Sequence, residues 1–316
     1  MRDKKILFII IALGIFNGYF LCLVIFQNSI NGMRVIFFDV GQGDASLIMA
    51  EGGINILIDG GPCKKVIEKL DKYLSFWDRK IDIMVLTHPH ADHIIGLIDA
   101  LKKYQVEEVW MTGVLPDSSE YSEFLKITED KNIDIKIVGD DVELMINNII
   151  NAPIASFQRG IAQISPNTKI EILYPMENLF DKKIDNLNNS SIVLKVSYKD
   201  NSFLFTGDIE EYAEEKLLCA DYEYSPNEGD CRLSKLDADV LKVAHHGSGN
   251  SSSQFFLEAV KPKYAVISVG ENNDFGMPSL RVLRRLERMG IKVFRTDLDK
   301  DVIMETDGKE IKKLIN

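Results

Sequence analysis

All five histidines of this chain fall in two short stretches, and each stretch follows an apolar run of strand length. His88, His90 and His93 stand in His88-Pro89-His90-Ala91-Asp92-His93, just after Asp82 to Leu86. His245 and His246 form a pair after Leu241 to Ala244. Histidines that merely fill a core or dot a surface do not cluster in this way. Residues two apart in an extended segment point the same way, so His88 and His90 can face one ion. The chain then turns into a helical stretch, which sends Asp92 and His93 toward a second ion. Imidazole nitrogen with carboxylate oxygen suits Zn²⁺, and also Mn²⁺ or Fe²⁺. A fold that uses this set must bring distant strand ends together.

Two further apolar runs end in a carboxylate. Phe203-Leu204-Phe205-Thr206-Gly207-Asp208 presents Asp208, placed to bridge two ions. Gly-Asp is also an ordinary turn, so Asp208 gains meaning only beside the histidines. Leu57-Ile58-Asp59-Gly60-Gly61 presents Asp59, which suits a group that orients a histidine from behind.

The periodicity predicts strands over 34–40, 45–49, 55–58, 82–86, 107–111, 170–174, 191–198, 203–206, 240–244 and 264–268. Helices are predicted over 64–76, 94–101, 119–129, 210–218, 254–260 and 279–289. The segments 292–295, 302–305 and 309–314 close the chain. From about 140 to 166 no period is firm, which predicts irregular loops or an inserted subregion. Each half thus begins with antiparallel-looking strands and continues with strand–helix alternation. That order suits two sheets packed face to face with helices outside, a four-layer α/β/β/α sandwich.

The N-terminus differs from the rest. Arg2, Lys4 and Lys5 precede an uncharged run from Ile6 to Phe26, long enough to span a bilayer as a helix. Basic residues before the run predict a cytoplasmic N-terminus and export of the remainder of the chain. The run ends without the small-residue cleavage site of a signal peptide. Residues 1–30 are therefore expected to be an anchor or signal segment, and 31–316 the folded domain, held outside the cytoplasm or secreted. A net charge of -11 does not suit passive binding of nucleic acid, although a local basic cleft or bound cations would change that. Export permits disulfides, and Cys219 and Cys231 flank a polar stretch; a bridge and two free thiols both fit that arrangement.

His-x-His-x-Asp-His, with strand–Asp59-Gly60-Gly61 before it and Thr206-Gly207-Asp208 after it, resembles the metallo-β-lactamase superfamily. Two segments narrow the resemblance. Phe38-Asp39-Val40-Gly41-Gln42-Gly43-Asp44-Ala45 and Lys242-Val243-Ala244-His245-His246-Gly247-Ser248 are similar to the hydrolase domain of ComEC-type competence proteins and their free-standing relatives. The match runs from about Arg34 to about Gly308. The resemblance implies the metallo-β-lactamase sandwich and two divalent ions, Zn or Mn. One would be held by His88, His90 and Asp208. The other would be held by Asp92, His93, Asp208 and one of the paired histidines, with His245 favoured because it continues the strand. His246 is then free to touch substrate, with Asp92 or Asp208 orienting the attacking water.

Two departures from the pattern stand out. Asn188-Asn189-Ser190-Ser191 occupies the place where the superfamily usually offers a third histidine for the first ion, leaving that site to Asn189 or water. Asp274-Phe275-Gly276-Met277-Pro278 stands where relatives often carry Tyr-Gly-His-Pro, so Met277 replaces a histidine. The resemblance implies phosphodiester hydrolysis on DNA. Another ester (a phosphorylcholine ester, lactone or thioester), a β-lactam, or a degenerate binding module are the alternatives. A monomer is expected, and any role in DNA uptake would need a separate channel protein.

Overall fold

The structure is a computed structural model, which describes residues 32–74, 79–139, 145–146, 161–219 and 233–314, with residues 11, 13, 14, 16 and 18 nearer the N-terminus. Strand periodicity dominates its architecture. In β1 (Met33–Phe37), Val35 and Phe37 face one core while Ile36 faces another. In β11 (Asn201–Phe205), Phe203 and Phe205 likewise separate from Leu204. Both sheets are thus apolar on two faces, which forces cover on each side.

Among the described residues the first sheet has nine strands and the second seven. The first contains β1, β2 (Ala45–Ala50), β3 (Ile54–Gly60), β4 (Lys80–Val85), β5 (Gln105–Met111), β6 (Asp134–Ile137) and β7 (Met145–Ile146). It is antiparallel from β1 to β3 and parallel from β3 to β6. The second sheet repeats this plan. β8 (Ile161–Ser165), β9 (Thr168–Tyr174), β10 (Val193–Tyr198) and β11 are antiparallel. Next, β11, β12 (Val240–Lys242), β13 (Tyr264–Ile267) and β14 (Lys292–Arg295) run parallel. The last two strands, β15 (Val302–Thr306) and β16 (Ile311–Leu314), return to the first sheet, where β15 pairs with β1.

Helices α1 (Lys65–Tyr73), α2 (Ala91–Lys103) and α3 (Ser119–Asp130) cover the first sheet through Val66, Leu70, Leu97, Leu101 and Phe124. Helices α4 (Glu211–Cys219), α5 (Leu233–Leu236), α6 (Gln254–Val260) and α7 (Leu280–Arg288) cover the second through Ala213, Leu236, Phe256, Val282 and Leu286. Between the sheets lies a core that includes Trp110, Phe37 and Phe205, with the Phe37 and Phe205 rings stacked across the seam at 5.6 Å. Helix, sheet, sheet and helix give the expected four layers.

The expected irregular stretch over 140–166 needs correction at its end. β8 pairs with β9 there and turns Ala162 and Ile164 into the inter-sheet core. Two apolar positions in a five-residue edge strand make too short an alternation to stand out in sequence. The short helices α5 and α8 (Thr296–Asp299) were also not expected. Cys231 lies outside the described residues, and so does the question of a Cys219–Cys231 bridge. Among the described residues no helix is long and apolar enough to cross a membrane. The run from Ile6 to Phe26 lies largely outside them.

One close approach positions the chemistry. Gly96 on α2 packs directly on Gly60 at the end of β3, and a Cβ at Gly96 would lie 1.8 Å from the Gly60 carbonyl oxygen. The amide of Gly96 donates to the Gly61 carbonyl at 3.0 Å. Only glycine lets the helix sit this near the sheet, and the helix carries Asp92 and His93 in its first turn.

Candidate metal centre

Strand ends from both sheets converge at one edge of the sandwich. β4 leads into Thr87 to His90, and His90 precedes α2 with extended backbone. This places His88 and His90 before the turn and Asp92 and His93 after it, as the spacing predicts. His88 Nε2 and His90 Nδ1 face each other at 3.1 Å. The other nitrogen of His88, Nδ1, lies 3.2 Å from both Thr87 Oγ1 and Ser191 Oγ.

Asp59 ends β3 and works from behind the cluster. It accepts from His93 Nδ1 at 2.9 Å, from the Thr87 amide at 2.9 Å and from Thr87 Oγ1 at 2.7 Å. These bonds turn His93 Nε2 toward Asp208, 3.3 Å from Oδ2, and Asp92, 3.8 Å from Oδ2. A carboxylate behind an imidazole fixes both its tautomer and its aim.

Asp208 stands in the turn after β11, directly following Gly207 in left-handed backbone (φ 50). A Cβ on Gly207 would strike Ser191 Oγ at 2.8 Å. That serine oxygen accepts from the Asp208 amide at 3.0 Å and thereby ties the Asp208 turn to His88.

The paired histidines take different places. His246, not His245, stands inside the cluster. His246 Nε2 lies 3.2 Å from Asp92 Oδ2 and 3.3 Å from Asp208 Oδ2, while its Nδ1 faces the Ser268 carbonyl at 2.9 Å. His245 Nε2 is 4.0 Å from Asp208 and its Nδ1 is 3.4 Å from Glu210. The cause is local backbone: both residues adopt left-handed conformations, φ 48 and φ 53, in the tight turn Ala244–Gly247. The strand direction of β12 therefore stops before His245, and the reversal swings the second histidine inward.

One ligand atom each from Asp92, His93, Asp208 and His246 lies within 4.8 Å of the others. His93 Nε2, 3.3 Å from Asp208 Oδ2, is buried with no hydrogen-bond partner. A buried polar atom without a partner is costly, and a divalent ion satisfies an imidazole nitrogen. The donor set and its orphaned atom therefore fit metal. Electrostatics agree. Burial disfavours charge throughout, yet His246 and His93 hold the Asp208 carboxyl well below its usual range. Burial also opposes the cations of His93 and His246, but Asp208 and its neighbouring carboxylates raise both well above an ordinary histidine. His88 is pushed well down by burial and by His93.

Asn189 is engaged away from the histidines. Its side-chain oxygen accepts from the Glu210 amide at 3.0 Å and braces the loop after Asp208. Met277 sits beside the Gly41-Gln42-Gly43 turn, with its sulfur 3.8 Å from Gln42 Nε2.

Sequence reasoning missed Asp44 and Lys242. The Lys242 ammonium is buried against the Asp44 carboxylate, 3.1 Å from the Gly207 carbonyl and 3.7 Å from Asp208 Oδ1. Asp44 Oδ1 is also 3.3 Å from His246 Nδ1. A signal existed: Lys242 is a lone charge in an apolar strand, and a buried charge needs a partner.

Comparison with known proteins agrees with this fold. ComE operon protein 3 of Bacillus subtilis is 28% identical over 282 residues, covering 84% of this chain and 32% of that protein. Competence protein ComA of Neisseria gonorrhoeae is 41% identical over 128 residues, 40% of this chain and 16% of that one. The chain spans a third or less of the length of these curated relatives. Zinc-bound PqqB from Methylobacterium extorquens shares the fold, with a TM-score of 0.50 at 9% identity over 86% of this chain and 100% of that one. The sequence model of the Metallo-beta-lactamase superfamily matches residues 38–271, and the chain belongs to that superfamily as a relative of the competence proteins.

Proposed function

We propose that the chain is a metal-dependent phosphodiesterase that hydrolyses DNA outside the cytoplasm. The observation that carries this reading is the convergence of His88, His90, Asp92, His93, Asp208 and His246 on one edge, in a chain whose curated relatives are named for competence. One ion would be held by His88, His90 and Asp208, and the other by Asp92, His93, Asp208 and His246. Bound divalent ions supply Lewis acidity toward a phosphoryl group and lower the pKa of water.

The chain's own residues do the rest. Asp59 and the Ser268 carbonyl hold the Nδ1 protons of His93 and His246, so each presents Nε2 to the centre. Asp92, with its side chain 34% exposed, is the carboxylate at the mouth and orients the attacking water. His245, with its side chain 21% exposed, takes the substrate-facing role that the family resemblance implied for His246 and donates to a phosphoryl oxygen.

Arg2, Lys4, Lys5 and the uncharged run after them support a membrane-held N-terminus, with residues 31–316 on the outer face acting as a monomer beside a separate channel. The test is degradation of single-stranded DNA with added Mn²⁺ or Zn²⁺. Loss of activity in His90→Ala/Asp92→Ala is expected; undiminished activity in that variant would sink the reading. A phosphatase fused after residue 31 tests the orientation, and a fusion inactive on whole cells reverses it.

A further inference from the structure

Four of the chain's ten arginines fall within eight residues, Arg281, Arg284, Arg285 and Arg288, all on α7. This concentration is out of keeping with a chain of net charge -11. The four do not share one task. Arg285 is half-buried and structural: it donates to the Ser251 and Ser252 carbonyls at 3.2 Å and 2.9 Å and lies 3.8 Å from Glu211. Arg281, Arg284 and Arg288 are exposed. Their spacing of three and four residues puts them on one face. None makes an ion pair among the described residues. Together with Glu287 they line an open groove of about 620 Å³.

The groove is joined to the metal centre by short steps. Ser279, which caps α7, donates its amide to the Gly247 carbonyl at 2.9 Å, directly after His246. Arg281 Nη1 reaches the Gly249 carbonyl at 3.4 Å. The basic face therefore starts at the turn that carries His246 and runs away from it. Arg281 to Arg288 span about 10 Å of helix axis at 1.5 Å per residue, a length that matches a few nucleotides of extended backbone.

Resting on the phosphodiesterase reading, we propose that Arg281, Arg284 and Arg288 form a backbone-binding strip for the part of a single strand lying beyond the scissile bond. Guanidinium forks match phosphate oxygens in pairs, and contacts of this kind carry no base preference. Glu287 in the same groove keeps the strip from being a bare cationic surface and leaves the three arginines as discrete contacts. The strip makes the substrate a polymer: a mononucleotide diester would fill the metal centre and never reach Arg288.

The test measures binding apart from hydrolysis. Fluorescence anisotropy of a labelled single-stranded oligonucleotide is followed against salt, with the full chain in EDTA. The triple variant Arg281→Gln/Arg284→Gln/Arg288→Gln is compared with a charge-matched control, Lys102→Gln/Lys126→Gln/Lys309→Gln. The expected result is at least a tenfold loss of affinity in the arginine variant. Its salt slope should fall by about two, because each phosphate contact on a single strand contributes roughly 0.7. The control should keep most of the affinity and the slope. Equal binding by the arginine variant, or equal losses in both variants, overturns the strip. DNA hydrolysis with Mn²⁺ is scored separately on the unmodified chain. DNA cleaved but binding unmoved by the arginine changes sinks the strip alone. Binding lost with the arginines while the unmodified chain cleaves no DNA sinks the phosphodiesterase reading and leaves a polyanion site.

Discussion

Lys242 and Asp44 pair across the seam between the two sheets, with both side chains buried. Lys242 shares the inter-sheet face of β12 with Val240, and Asp44 stands just before β2 of the opposite sheet. The same ammonium faces Asp208 Oδ1 at 3.7 Å, which leaves Oδ2 of that residue to the histidines. Burial opposes the Lys242 charge, but Asp44 and Asp208 raise its pKa above an ordinary lysine.

Breaking this pair from one side strands a buried charge. Lys242→Met is expected to cost about 3–5 kcal/mol in chemical denaturation. Asp44→Asn added to it should recover part of that loss by removing one of the stranded carboxylates. A Lys242→Met protein that unfolds at the wild-type denaturant midpoint would show that the pair contributes nothing.

The two neighbouring histidines should separate in metal content. His246→Ala removes a nitrogen from the buried set with Asp92 and Asp208, and His245→Ala removes one that stands 4.0 Å from Asp208. Elemental analysis after dialysis is expected to find the second ion lost in His246→Ala and largely kept in His245→Ala. The reverse pattern would restore His245 as the ligand. The orienting residue should show a milder loss: Asp59→Asn is expected to weaken metal binding by about 10–100-fold.

Metal binding should release protons. Burial works against charge on His93 and His246, but the surrounding carboxylates outweigh it and raise both above an ordinary histidine, favouring the protonated rings. An ion needs their neutral nitrogens, so each must lose a proton on binding. Affinity for Mn²⁺ or Zn²⁺ therefore rises with pH until the raised histidine pKa values are passed. Calorimetry in two buffers of different ionisation enthalpy measures the release directly. Identical heats in the two buffers would mean that no proton moves.

Gly96→Ala tests the approach of α2 to β3. The added Cβ would meet the Gly60 carbonyl, which is backbone and cannot swing aside. A loss of about 1–3 kcal/mol or more is expected. Metal affinity should fall with it, because the displaced helix carries Asp92 and His93. Wild-type metal affinity in a destabilised Gly96→Ala protein would show that the loop, not the helix position, sets those two ligands.

Local patterns determined much of this protein. Apolar runs rich in β-branched and aromatic residues marked β1 and β11 as strands, and packing showed both of their faces buried. The spacing from His88 to His93 was enough to foresee two side-chain directions, because an extended segment and a helix start point side chains by fixed geometry. Tertiary structure decided what depends on the path between elements. β15 and β16 return to the first sheet, a pairing over more than 250 residues that no local period encodes. His246 rather than His245 lies beside Asp92 and Asp208 because two left-handed residues reverse the chain after β12. Asp44 and Lys242 had no reason to be paired until two sheets packed and removed the water between them, since a lone charge in a strand shows that a partner is needed but not where it lies.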